Sequence, residues 1–481
     1  MRILLTKPYN PDPGNNAVPH PLGLMYLASY LRQKRKNKDD IRIYDMRLCP
    51  QKEADKRLKD ILSEFKPQII GISALTFEYK NMFEIGKIAK RTLEDSLVIA
   101  GGPHPTFYSE ETLACPDIDY VIKHEGENSF LQLIESIENG TEPRNIKGVG
   151  FKKNGSTFIN NEVEYISDID CIPFPSWDLI EVEKYALFKR ATMLQGRPYM
   201  TIYTSRGCPF SCIYCAKMLG KTFRGRSVEN VIEEIEYIIN NLGIREFEIL
   251  DDCFNYNKDR AYRFFEEIIG RNLNIKLAFT AGLRLDLLDE ELIPLMKKAG
   301  TILMAVAVET ASPRIQKLIK KNLDLDKVQK IISTIAKNNI QMRGYFMLGF
   351  PTEKKEEMKS TVDLALKLPI THAGFFNVMP VKGSELGQMY EHLSGDVSEA
   401  AKFDFFTSTV NLSDEPAKTL FWIHKMAWIK FYFSRTQISF FLKTYRDRRI
   451  FYLFMFFLMW LRVSLKGISF NVIKKSRGQE S

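Results

Sequence analysis

Residues 204 to 217 read TSRGCPFSCIYCAK, which sets Cys208, Cys212 and Cys215 in a C-x₃-C-x₂-C array directly after the strand-like stretch YMTIYTS at 199 to 205. Three thiolates this close can hold a zinc ion, hold an iron–sulfur cluster, or be buried side chains with no ligand. Structural zinc takes four ligands, and the next cysteine, Cys253, is far along the chain with no histidine nearby in sequence. A cluster held by three thiolates keeps one iron open to substrate, so an incomplete set of cysteines becomes functional. On spacing alone the three readings stay open.

Working outward, the chain from 199 alternates strand-like runs (EFEILDD, LAFTAGL, ILMAVAVE, QMRGYFMLG, AGFFNVMP) with helical patterns such as VENVIEEIEYIINNL and LDKVQKIISTIAKN. Six such β/α units predict a parallel barrel, complete or partial, whose chemistry sits at the C-terminal strand ends, where the cysteine loop falls. Upstream, RILLTK, IRIYDM, QIIGISAL, SLVIAGG and DYVIKH alternate with four amphipathic helical stretches, which predicts a doubly wound parallel sheet. Ligands of such sheets bind beyond the carboxyl ends of the strands. There lie the long loop KPYNPDPGNNAVPHPLG and GGPHPT at 101 to 106, whose paired glycines let backbone approach a ligand. Between the two halves, KGVGFKKNGSTFI predicts a hairpin turning at Asn154-Gly155. The expected domains are 1–140, a connector at 141–195, a barrel at 196–385 and a helical, aromatic extension at 386–481.

With 481 residues, 45% of them hydrophobic, the chain can build more than one packed core. Seven cysteines are too few for a disulfide scaffold, and MRILLTKPYN lacks the charged-then-apolar pattern of a secretory signal, so a cytoplasmic protein is expected. Of the net charge of +9, residues 425 to 481 carry 12 Lys+Arg against 2 Asp+Glu, or +10. Confinement to a tail that also contains IFYLFMFFLMWL (450–461) argues against a nucleic-acid binder and for an anionic membrane surface. Twelve apolar residues are short of the roughly 20 that cross a bilayer, so the run is expected to lie in the interface or wall a hydrophobic channel, at the inner membrane face.

CPFSCIYC resembles the signature of the radical S-adenosylmethionine (SAM) enzymes, and EILDDCF (248–254), VAVETAS (306–312) and GYFMLGFPTE (344–353) follow in the order found in that superfamily. The resemblance implies that Cys208, Cys212 and Cys215 bind a 4Fe–4S cluster whose open iron chelates SAM. It also implies that Tyr214, Glu309, Gly349 and Pro351 contact SAM, with Asp251 as a further cofactor-site residue. This chain has Glu309-Thr310-Ala311 where relatives commonly show ESG, and Pro351-Thr352-Glu353 where they often show PGE. PHPLGLMYLASYLR, VIAGGPHPTFYSEE, KHEGENSF and DIDCIPFPSWDLI resemble the cobalamin-dependent radical SAM enzymes, so the resemblance spans about 1 to 385.

Gly101, Gly102, Pro103 and Thr106 would then line the groove for the cobalamin nucleotide tail. The Asp-x-His-x-x-Gly motif is absent, and His20 lacks its spacing. KFYFSRTQISFFLKTYRDRR (430–449) loosely resembles extensions in the branch of hopanoid methylases and the anaerobic magnesium-protoporphyrin ester cyclase. The implied activity is methyl transfer to an unactivated carbon of a hydrophobic or lipid-like small molecule, fed by a flavodoxin- or ferredoxin-type electron donor. Alternatives are a radical cyclase, oxidase or carbon–carbon coupling enzyme of the same branch, and a non-catalytic, zinc-stabilised, membrane-docked binding protein. No side chain is singled out as catalytic.

Overall fold

The computed structural model describes residues 1–9, 18–36, 39–187, 198–394 and 410–444. The chain divides into two compact units, Met1–Pro209 with Lys217–Asp251, and Phe210–Ala216 with the residues from Asp252 on.

The first unit is built on a seven-stranded sheet in the order β2-β1-β3-β4-β5-β6-β7. Strands β1 (Arg2–Lys7), β2 (Asp40–Asp45), β3 (Ile69–Ser73), β4 (Leu97–Gly101) and β5 (Tyr120–Ile122) are parallel, each on an expected run. Residues of β1 past Arg2 are buried on both faces, as a strand between two helix layers requires. Leu4 packs with the helices Gln51–Phe65 and Tyr79–Thr92, whereas Ile3 and Leu5 pack with Leu22–Lys34 and Glu127–Glu138. Strands β6 (Val149–Lys153) and β7 (Ser156–Ile159) form the expected hairpin, with Asn154 and Gly155 both left-handed (φ 51° and 75°). Expected as part of a connector, this hairpin instead extends the sheet, β6 pairing antiparallel with β5. The strand order reverses between β1 and β3, which opens a crevice at their carboxyl ends.

The same unit contains β8 (Met200–Ile202), the short pair β9 (Ser205–Arg206) and β10 (Arg224–Gly225), and β11 (Glu246–Ile249), which runs parallel to β8. The second unit holds four parallel strands in the order β12 (Lys276–Phe279), β13 (Thr301–Glu309), β14 (Gln341–Leu348), β15 (His372–Asn377). Helices Leu292–Lys298, Leu325–Lys337 and Lys355–Lys367 lie between them in sequence, completing the six expected β/α units. Among the described residues, two short helices, Glu385–Met389 and Glu391–Ser394, and two longer ones, Ala417–Tyr432 and Arg435–Thr444, follow. Among the described residues no helix is long and apolar enough to cross a membrane, and the 450–461 run lies outside them.

In the first unit, a buried charge cluster fixes both sides of the cysteine loop's base. Arg206 Nη2 donates to Glu127 at 2.7 Å and its Nη1 lies 3.4 Å from Glu125, with the guanidinium 5.1 Å over the Tyr26 ring. Arg224 clamps the same Glu125 carboxylate with both Nη atoms, at 2.6 and 2.9 Å, and also donates to the Leu219 and Ile166 carbonyls. Burial opposes charge on Arg206, but Glu127 and Glu125 outweigh it and hold the guanidinium above its ordinary range. Between them Gly207 sits at φ 81°, where a Cβ would lie 2.2 Å from the Thr222 carbonyl, so only glycine fits.

Glu125→Gln is expected to cost about 3–5 kcal/mol, because two buried guanidiniums lose their shared counter-charge. Chemical denaturation measures it, and an unchanged midpoint would contradict the cluster's role. Gly207→Ala is expected to cost at least about 1–3 kcal/mol by forcing a side chain into that left-handed, crowded position, with iron retention falling alongside stability.

Candidate active site

Asp251, at the end of β11, is 1% exposed and turned onto the chain leading into the cysteine loop. Its carboxylate accepts from the Thr204 amide at 2.6 Å, the Thr204 hydroxyl at 2.5 Å and the Ser205 hydroxyl at 2.6 Å. The geometry therefore gives Asp251 a positioning part, tying the end of β8 to β11. Beyond Gly207, the Cys208 amide donates to the Gly220 carbonyl at 3.3 Å, closing the base of the loop.

At the carboxyl edge of the N-terminal sheet, Lys7 ends β1 and donates to the Ser73 carbonyl (3.1 Å) and to Glu78 (2.5 Å). Burial outweighs Glu78 and lowers the Lys7 ammonium below its ordinary range. After β4, Gly102 adopts φ 90°, and a Cβ there would lie 2.9 Å from Ser73 Oγ and 3.1 Å from the Ala74 amide. Glycine is required at 102 by a neighbouring segment, whereas a Cβ at Gly101 meets only ordinary contact, 3.6 Å from the Ile122 carbonyl. Pro103 starts the short helix Pro103–Phe107. The Thr106 hydroxyl donates to the Gly102 carbonyl (2.8 Å) and accepts from the His124 amide (2.9 Å).

Two histidines at this edge are walled in by aromatic rings. His20 packs against Trp177, Tyr185 and Tyr199, its Nδ1 3.0 Å from the Thr201 hydroxyl. His104 is fully buried between Tyr79 and Tyr108. The strand-reversal edge, with the tight glycine turn at Gly102, fits the place where a doubly wound sheet would hold cobalamin. His124, which the sequence did not single out, has φ 60° and places Nδ1 3.1 Å from the Met218 carbonyl just past the cysteine loop.

In the second unit the middle of the loop is pinned from both sides. The Ile213 amide donates to the Ile319 carbonyl (3.2 Å), and the Ile213 carbonyl accepts from the Leu386 amide (2.8 Å). The Tyr214 hydroxyl donates to Glu309 at 3.2 Å, and Lys321 donates to the same Glu309 oxygen at 2.8 Å. Burial first, then the Glu309 charge, holds the Tyr214 phenol protonated well above its ordinary range. Glu309 ends β13 at φ 67°, beside a register shift against β14, a backbone region that costs a non-glycine residue energy and that clusters at functional sites. Phe350 faces the Tyr214 ring at 6.1 Å, and the Arg284 guanidinium lies 3.7 Å over the ring of Phe210.

The segment after β14 carries a residue noted in the sequence only as part of a departure from the family pattern. Glu353 is fully buried, and its Oε2 accepts from the amides of Gly349 (2.7 Å) and Phe350 (3.0 Å), while Oε1 has no hydrogen-bond partner. Burial, against the pull of those two amides, pushes its carboxyl up to about 8. It thereby holds Gly349, Phe350 and Pro351 in one turn. A carboxylic acid followed four residues behind a strand-end glycine is the signal that could have revealed it.

None of the three loop cysteines is in a disulfide and all are partly exposed, Cys208 belonging to the first unit and Cys212 and Cys215 to the second. Among the described residues no three His, Cys, Asp or Glu side chains are already gathered around a metal position. The donor set itself, three thiols outside any disulfide on one short loop with no metal-ligand cluster gathered around them among the described residues, suits a cluster with an open iron and does not suit four-coordinate zinc.

The pH dependence of stability reports on Glu353. The unfolded chain releases this proton near 4.5 and the folded chain only near 8, so stability falls as pH rises through that window and then levels off. Glu353→Gln, which keeps an acceptor for both amides, is expected to flatten the profile there, whereas Glu353→Ala flattens it too and costs about 1–3 kcal/mol at low pH, where the wild-type carboxyl is protonated. Thermal denaturation across pH checks both, and an unchanged profile in Glu353→Gln contradicts the assignment.

Comparison with known proteins identifies the family and the fold. Residues 202–365 match the radical SAM superfamily and residues 16–134 the B12 binding domain. The chain is 36% identical over 396 residues to an uncharacterized methyltransferase of Pyrococcus horikoshii, covering 80% of this chain and 82% of that one. It is 28% identical to the cytidylyl-2-hydroxyethylphosphonate methyltransferase of Streptomyces wedmorensis, covering 69% and 68% of the two chains. It is 27% identical to the anaerobic magnesium-protoporphyrin IX monomethyl ester cyclase of Rubrivivax gelatinosus, covering 76% and 65%. The fold is shared with the radical SAM methyltransferase TsrM of Kitasatospora setae (TM-score 0.65, 18% identity, 82% and 75% covered). It is also shared with the cobalamin-dependent SAM radical enzyme OxsB (TM-score 0.71, 17% identity, 96% and 71% covered). With a B12-binding domain leading into a radical SAM domain in one polypeptide, this chain belongs to the cobalamin-dependent radical SAM enzymes.

Proposed function

We propose that this enzyme transfers a methyl group to an unactivated carbon of a hydrophobic small molecule. The observation that carries the reading is the anchored three-thiol loop. Cys208, Cys212 and Cys215 would hold the 4Fe–4S cluster, and the pinning of Ile213 and Tyr214 sets where two of those thiols stand. Tyr214, Glu309, Gly349 and Pro351 would border SAM, Glu309 carrying charge and the Glu353-locked turn presenting backbone. Gly101, Gly102, Pro103 and Thr106 would line the tail groove of cobalamin, and Asp251 acts through the Thr204–Ser205 segment. The chemistry supplied when these groups are bound is hydrogen abstraction from carbon by the cluster with SAM and a transferable methyl group by cobalamin.

The chain's own contribution is placement and exclusion of water. Tyr214 and Lys321 hold the Glu309 carboxylate at one spot, and Lys321 offsets its charge. The pinned loop keeps Cys212 and Cys215 from drifting with respect to that carboxylate. One electron must be delivered from outside, for which a flavodoxin- or ferredoxin-type donor is the expected partner. The basic, aromatic tail supports a hydrophobic substrate met at the inner membrane face.

The similarity to a magnesium-protoporphyrin ester cyclase favours a second reading, radical cyclisation or oxidation. Methyl-deuterated SAM separates them: label in the product means methyl transfer, whereas deoxyadenosine without label in the product means the second. Replacing any one of Cys208, Cys212 and Cys215 by alanine is expected to abolish deoxyadenosine formation in anaerobically reconstituted enzyme. SAM cleavage surviving all three changes would overturn the assignment, and a colourless, zinc-loaded protein would favour the binding-protein alternative.

A further inference from the structure

Helix Ala417–Tyr432 has two different faces. Leu420, His424, Ala427 and Phe431 are buried, and His424 Nε2 lies 2.8 Å from the Phe375 carbonyl of β15. The opposite face is open: Trp422 and Phe433 are each 48% exposed and Met426 39%. At about 100° per residue, Trp422, Met426 and Phe433 fall along one stripe, with Lys418 and Lys425 on one margin and Lys430 on the other. Lys425 Nζ sits 5.4 Å from the Trp422 ring, so the cation borders the apolar stripe directly. The sequence from 416 to 446 contains six Lys and Arg and no Asp or Glu. Large apolar side chains grouped on one exposed stripe, unlike ones scattered singly, mark an interaction surface.

We propose that this face docks on an anionic lipid surface, the apolar stripe entering the headgroup region and the lysines contacting lipid phosphates. The charge pattern selects this occupant. A second copy would bring its own lysines against these, with no carboxylate on either helix to offset them, whereas an anionic bilayer satisfies both margins at once. The face is also continuous in sequence with the basic tail, so one end of the chain carries the whole signal. On the other side of the same helix, Leu420 lies where a Cβ on Gly349 would meet it at 3.0 Å. The docking helix therefore backs directly onto the turn held by Glu353, which places the proposed SAM border next to the lipid surface.

This inference deepens the reading of a hydrophobic substrate and is tested on the full-length enzyme. Co-sedimentation with phosphatidylcholine vesicles, with and without phosphatidylglycerol, is compared for wild type, Trp422→Ser/Met426→Ser/Phe433→Ser, and Lys418→Glu/Lys425→Glu/Lys430→Glu. Wild type is expected on the anionic vesicles only, and the lysine variant is expected to bind at least about tenfold more weakly. The triple serine variant should lose binding too, with circular dichroism and deoxyadenosine formation in vesicle-free buffer unchanged in both. Variants that bind as wild type does, or a wild type that ignores vesicles, overturn the proposal. A dimer dissociated by the same substitutions would also overturn it and identify the face as a self-association surface. Absence of deoxyadenosine in wild type would instead strike at the enzymatic reading, so the two failures are distinguishable.

Discussion

One buried carboxylate, Glu125, organises the first unit. It stands just after β5 at the edge where the parallel sheet presents its ligand side, and it is shared by Arg206 and Arg224, which bracket the cysteine loop in sequence. Arg224 takes its counter-charge from it and Arg206 shares it alongside Glu127, because a desolvated guanidinium has no route to neutrality. The B12-binding sheet and the base of the cysteine loop are thus one electrostatic object. The Tyr26 ring under Arg206 and the Tyr165 ring under Arg224 fill the space around the charges with surface that tolerates cations.

The second unit solves a different problem, that of holding a charged group at a strand end without letting it collapse onto its neighbours. Glu309 adopts a left-handed backbone conformation that a glutamate avoids, and Tyr214 and Lys321 hold it there. Nearby, Glu353 does the opposite. Its proton is retained, its charge suppressed, and its oxygen used only to fix two backbone amides. Two glutamates close in sequence space to the same strand ends therefore play different parts because one has a buried ammonium beside it and the other has none.

Much of this was legible in the amino-acid sequence. The strands of both halves lie where apolar runs were bounded by turn residues, and the Asn154-Gly155 turn lies where both residues tolerate positive φ. Other features were out of reach because they depend on pairing between distant segments. Nothing local in KGVGFKKNGSTFI says that the hairpin will add to β5 and not stand in a linker. Nothing in the sequence says that the aspartate at the end of β11 will clasp Thr204 and Ser205. The sequence around His20 and His104 does not reveal the aromatic rings that the fold packs against them. The Glu125 cluster joins residues about a hundred positions apart, so nothing local in the sequence marks the arginines flanking the cysteines as buried.

The central claim is that one iron of the cluster has no protein thiolate and is the place where SAM binds. Electron paramagnetic resonance of the reduced, anaerobically reconstituted protein tests it most directly. The account predicts a 4Fe–4S signal whose shape changes on adding SAM and does not change on adding methionine-free adenosine. Iron-free protein, or a cluster signal indifferent to SAM, would contradict it.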